Sequence, residues 1–135
     1  MIHQKDLRLG DLVQITEDLL EYKQGDTFVV IGISEVYIGL RSPSKSDCRP
    51  YMYTIRGNIE GIPLTPDILE KNGWEQEYYA PIIYDHTGHD IEISFLRTPK
   101  RCSVLLNDVS LCEIQYVHQL QHILWALGLD ANLKI

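Results

Sequence analysis

Four of the five histidines are the side chains whose spacing most directly suggests chemistry. His118 and His122 stand four residues apart in Gln115-Tyr116-Val117-His118-Gln119-Leu120-Gln121-His122. On a helix that step lets two imidazoles share one metal ion. His86 and His89 lie in Asp85-His86-Thr87-Gly88-His89-Asp90, a turn that would let them converge on the same ion with Asp85 or Asp90 assisting. A metal-dependent hydrolase using all four histidines is therefore one reading. Against it, Gln119-Leu120-Gln121 between the helical pair contains no glutamate, so the metalloprotease pattern is absent. The simpler expectation is structural histidines, exposed or hydrogen bonded, with no metal and no cofactor.

A second constellation is basic and aromatic. Arg41, Lys45, Arg49 and Arg56 surround Tyr51 and Tyr53, and basic groups with aromatics on a small barrel form a surface for single-stranded nucleic acid. Arg41, Arg49, Tyr51, Tyr53 and Arg56 are the residues such a site would use. Asp47 sits inside the cluster and the chain is acidic, with pI near 5.1, so the electrostatic footprint that drives such binding is weak. Asp85, Asp90 and Glu92 could pair as acid and base, but alternation along Asp90-Ile91-Glu92-Ile93 puts Asp90 and Glu92 on a polar sheet face, expected to be solvated. No GxSxG, P-loop, GxGxxG or CxxC is present, so no catalytic residue is assigned and the chain is read as non-enzymatic. Cys48, Cys102 and Cys112 are odd in number and unpatterned, which fits plain thiols in a reducing compartment.

These side chains must be positioned by a small frame. The chain has 135 residues, 44% hydrophobic and 23% charged, with a net charge of -7. That is an ordinary globular composition, enough for one compact domain or two small modules. Residues 1–63 carry 7 basic and 9 acidic groups, and residues 64–135 carry 5 and 10; the second half repels phosphate backbones. No apolar run approaches the ~20 residues of a membrane span. Met1-Ile2-His3-Gln4-Lys5-Asp6 has no apolar signal core behind it, so a cytoplasmic protein is expected.

From Leu7 to Pro63 the pattern is short strands between Gly, Pro and Ser punctuation. Gly10-Asp11 and Gly25-Asp26 each place a turn before a strand. Thr27–Ile33 and Val36–Leu40 read as a hairpin about Ser34-Glu35, and Tyr51–Ile55 and Ile59–Ile62 supply further strands. Five strands in such a span suggest an SH3-like small β-barrel over 1–63. Then Thr65 caps a helix that Pro66 and Asp67 open and Gly73 ends. Residues 77–84, 90–96, 102–106 and 109–114 read as a four-stranded antiparallel meander, with Asn107-Asp108 as its last turn. The final helix presents Val117, Leu120, Leu124 and Leu127 on one face, with Ile123 widening the stripe, while Gln119, Gln121 and His122 fall mostly elsewhere. Trp125 at the stripe edge is expected to seal the helix against the sheet. The fold class is α+β, with the sheet and two helices occupying 64–135.

Two segments, Ile62-Pro63-Leu64-Thr65-Pro66-Asp67-Ile68-Leu69 and Tyr116-Val117-His118-Gln119-Leu120-Gln121, resemble segments of a family of short uncharacterised bacterial proteins. These come mainly from Bacteroidetes-type genomes and their phages or mobile elements. In that family a strand-rich opening with Leu-Gly-Asp-like text, here Leu9-Gly10-Asp11, precedes an IPLT helix, and a YVHQLQ helix ends the chain. The resemblance runs in order through most of the chain, and only the last two motifs are specific. It implies a bacterial or phage origin and the same fold, and it assigns no activity or site. The family favours a Thr-Gly ending after YVHQLQ; Ala126-Leu127-Gly128-Leu129 departs from it at the helix end.

The expectation is a non-enzymatic protein-interaction module, binding a protein partner or itself, with no membrane partner. Nucleic-acid binding and the metal-dependent hydrolase are its alternatives. An interaction module should show an exposed apolar patch or a self-complementary strand edge.

Overall fold

The computed structural model describes residues 6–43, 52–77, 83–86, 88–95 and 101–135, with the side chain of Arg56 outside that set. The protein is α+β, made mostly of antiparallel sheets with two short helices. Its chain divides into two compact units, Met1–Ile62 and Pro63–Ile135. No helix among the described residues is long and apolar enough to cross a membrane.

The first unit contains β1 (Leu12–Ile15), β2 (Thr27–Ile33), β3 (Tyr37–Arg41), β4 (Met52–Ile55) and β5 (Ile59–Gly61). They form one antiparallel sheet in the order β4-β3-β2-β1-β5. A 3₁₀ turn, Arg56–Asn58, links β4 to β5. Among the described residues β4 and β5 are not paired, so no closed barrel is seen.

The two Gly-Asp signals turn out to be one device used twice. In Arg8–Asp11 the Asp11 N–H donates to the Arg8 carbonyl at 3.2 Å and the Asp11 carboxylate accepts the Arg8 N–H at 2.8 Å. In Lys23–Asp26 the same two bonds measure 3.0 Å each. Both turns need a left-handed residue at the third position, where Gly10 and Gly25 have φ of 93° and 90°. Each turn aims a strand into a core of Leu7, Val13, Ile15, Tyr22, Phe28, Val30, Ile38, Leu40, Met52 and Ile59. Tyr22 and Phe28 meet edge to face there at 4.8 Å.

The second unit opens with α1 (Pro66–Lys71), followed by β6 (Trp74–Gln76), β7 (Ile83–His86), β8 (Ile91–Phe95), β9 (Cys102–Leu106) and β10 (Val109–Ile114), and then α2 (Val117–Ala126). Its sheet has the order β10-β9-β8-β7-β6, five strands where four were expected. The extra one is Trp74–Gln76, whose three residues are too few for periodicity to reveal. Of the expected strand at 77–84, residues 78–82 lie outside the described set.

α1 begins as its residues dictate. Thr65 accepts the Ile68 N–H at 3.4 Å and Pro66 takes the first turn. At the start of α2 the Gln119 side-chain oxygen accepts the Gln115 and Tyr116 N–H groups at 2.7 and 3.0 Å, satisfying donors the helix itself leaves unpaired. α2 ends in a Schellman arrangement, Leu129 N–H to the Leu124 carbonyl and Gly128 N–H to that of Trp125. The departure from the resembled ending therefore keeps a complete helix stop.

The α2 stripe corrects three expectations. Val117, Leu120 and Leu124 are fully buried, but so are His118 and Gln121, at 3% and 6% exposure. Leu127 is exposed. Trp125 is 65% exposed, where a side chain sealing the helix against the sheet was expected. In a ten-residue helix the buried side is wider than the apolar stripe, and Gln121 is accommodated by donating to the Ala131 carbonyl at 3.2 Å.

Candidate functional site

Strand register assembles a row of carboxylates that no local motif announces. Glu75 pairs with Asp85, and Asp85 with Glu92, so β6, β7 and β8 each place an acid on the outer face of the sheet. Ligand oxygens of Glu77, Asp85 and Glu92 lie within 4.8 Å of one another, and all three side chains are half-buried. Like charges directly opposite across strands repel. The Glu92 carboxyl is accordingly held above the usual carboxylate range, first by desolvation, then by the charges of Asp85 and Asp108 and by a hydrogen bond with Asp85. Glu92 is thus on the polar face, as alternation requires, but it is not fully solvated.

The β7–β8 turn extends this row into a cavity of about 370 Å³ lined by Glu75, Asp85, His86, Gly88, His89, Asp90 and Glu92. His86 and His89 meet with ring centroids 4.7 Å apart. His86 is paired in register with the buried Trp74, whose ring it meets edge-on at 5.0 Å. Carboxylate oxygens with imidazole nitrogens form a donor set that hard or borderline divalent cations accept.

His118 and His122 keep the spacing the sequence gives them, with ring centroids 5.7 Å apart. His118 is buried and stacks on Tyr116, with planes 14° apart. None of His86, His89, His118 and His122 belongs to the group of three metal-competent atoms found among the described residues, which is Glu77, Asp85 and Glu92.

In the first unit the candidate nucleic-acid residues are only partly in view. Arg49 and Tyr51, and the side chain of Arg56, lie outside the described residues. Arg41 and Tyr53 are exposed and share the outer face of the sheet, since Tyr37, Gly39 and Arg41 alternate outward and Tyr53 pairs with Gly39. Tyr37 pairs with Ile55 on the same face. Val36, Tyr37, Tyr53 and Ile55 are 58%, 56%, 69% and 48% exposed. A Cβ at Gly39 would come within 3.2 Å of the Tyr53 ring and 3.4 Å of the Gly32 backbone. The glycine therefore lets Tyr53 lie close over the strand.

Three features escaped the sequence reading. The acidic row depends on pairing between residues ten and seven positions apart. The apolar face depends on the same kind of register. Leu20, at the tip of the Leu19–Tyr22 bridge, combines 89% exposure with φ of 52°, an unusual state for a bulky residue; nothing in the local text marks it. Comparison with known protein families, with curated proteins and with solved structures finds no match to this chain.

Proposed function

We propose that the chain is a non-enzymatic protein-interaction module of bacterial or mobile-element origin, acting in the cytoplasm, whose docking surface is the outer face of β3 and β4. The observation that carries this is the clustering of exposed Tyr37, Tyr53 and Ile55 on one face, with Tyr37 opposite Ile55 and Tyr53 opposite Gly39. Contiguous exposed apolar and aromatic groups are what interfaces use as anchors. We read the first unit as SH3-like, supported by its strand order and the 3₁₀ turn before β5, and the second as a meander extended to five strands. The resemblance of the IPLT and YVHQLQ segments supports the origin.

The test compares wild-type chain with a Tyr53→Ser, Ile55→Ser variant as immobilised baits in a bacterial extract, followed by reconstitution of any captured pair from purified proteins. A partner that binds wild type and weakens about tenfold or more with the variant is expected, because two anchors are removed. Equal capture by both baits overturns the reading. Salt-sensitive retention of a labelled oligonucleotide by Arg41 and Tyr53 would replace it with the nucleic-acid alternative.

A second reading, cation binding, is favoured by the mixed lining of the cavity in the second unit. Asp85, His86, His89 and Asp90 meet there with Glu75 and Glu92.

A further inference from the structure

The docking face on β3 and β4 leaves unused the two histidines of the β7–β8 turn. The His89 N–H donates to the His86 carbonyl at 3.1 Å, and Gly88, with φ of 83°, supplies the left-handed residue of so short a turn. The turn brings the two imidazoles together, with ring centroids 4.7 Å apart and planes tilted by 57°. Two imidazoles bound to one tetrahedral ion, each through a nitrogen about 2.0–2.1 Å away, have centroids about 5 Å apart. The buried Trp74 meets the His86 ring edge-on at 5.0 Å and fixes it before any ion arrives. His89 is exposed and adjusts to the ion.

We infer that His86 and His89 together bind one borderline divalent ion of the zinc class, with water on its remaining positions. This rests on the cation-binding reading of the cavity and narrows it. Imidazole nitrogens favour zinc, nickel or copper, whereas the Glu77, Asp85 and Glu92 oxygens on their own would favour calcium or magnesium. Glu75, Asp85, Asp90 and Glu92 line the same cavity as the two histidines, and their charge raises the local concentration of cations. The other histidine pair is less well placed. His118 is 3% exposed and stacks on Tyr116, so α2 presents only His122 to an ion arriving from solvent.

The test uses the full chain without a polyhistidine tag and with Trp125→Phe, which leaves Trp74 as its one tryptophan. Copper(II), an open-shell ion, should quench Trp74 emission at one ion per chain, because the His86 ring lies beside the indole. Excess zinc(II), whose filled shell does not quench, should restore the emission by competition. His89→Ala should weaken both ions at least about tenfold, the effect that loss of even a supporting outer partner has. Because His89 is exposed, the packing of His86 on Trp74 survives that change. His122→Ala should alter nothing. Quenching that persists in His89→Ala, or that is lost in His122→Ala, overturns the assignment. Calcium or magnesium binding that ignores His89→Ala and is lost in Asp85→Asn, with no response to zinc or copper, overturns it while preserving the cation-binding reading. Failure of all four ions to bind overturns both.

Discussion

Glu92 is the residue at which the electrostatics of the acidic row concentrate. Its carboxyl titrates above the ordinary value of 4.5, so the folded state holds that proton more tightly than the unfolded chain. The associated stability is present at acid pH and is lost as pH rises through the raised value; at neutral pH the ionised Glu92 works against the fold. Glu92→Gln should therefore stabilise the protein at pH 7, by roughly 0.2–0.5 kcal/mol for relief of a directly opposed like charge that solvent partly screens. The gain should shrink as pH falls below the carboxylate range. Urea unfolding of both proteins at pH 7 and pH 4 measures it, and an equal gain at both would sink the charge explanation. The sequence offers Asp85, Asp90 and Glu92 as carboxylates for acid/base work and places Glu92 on the polar sheet face, where the structure has it. It missed Glu75 because that residue reaches the row through β6, a strand too short to be legible, and Glu77 because its place opposite Ile83 is set by pairing rather than by local pattern.

At the scale of elements, α1 was readable and its tie to the chain terminus was not. Thr65, Pro66 and Gly73 mark the helix through preferences that act within one turn. Asn72, its last-turn neighbour, donates to the Ile68 and Lys134 carbonyls at 2.8 Å each and accepts the Lys134 N–H at 2.7 Å. That side chain imitates a strand partner for a segment 62 residues away. Asn72→Ala should cost about 1–2 kcal/mol, the net value of the lost hydrogen bonds. It should also speed amide exchange of residues 132–135 far more than that of α2. Uniform acceleration through the unit would instead mean that the tail is not held by this residue. His118 teaches the same lesson: the i, i+4 spacing with His122 was visible, while its burial came from what surrounds α2.

At the scale of the molecule, the core cluster of the first unit runs, among the described residues, from Leu7 to Ile59. The fragment 1–62 should therefore fold alone, with dispersed amide resonances and marginal stability, since a domain near 60 residues buries only about 60% of its unfolded surface. Calorimetry of the full chain should resolve two transitions, one matching the fragment; a disordered fragment would show that the first unit depends on the second. The α+β class was determined by the sequence, because the alternation in Ile91-Glu92-Ile93-Ser94-Phe95, the β-branched run Val29-Val30-Ile31, the helix caps and the turn residues Gly10, Gly25, Asn107 and Asp108 act over a few positions each. Tertiary structure alone decided which of these local pieces share a face. It set Tyr37 beside Ile55, aligned Glu75, Asp85 and Glu92, left β10 at an open edge and buried His118. Cross-strand register and the depth of a helix in its core are set by the sum of contacts over the whole unit, and no short stretch of sequence contains that sum.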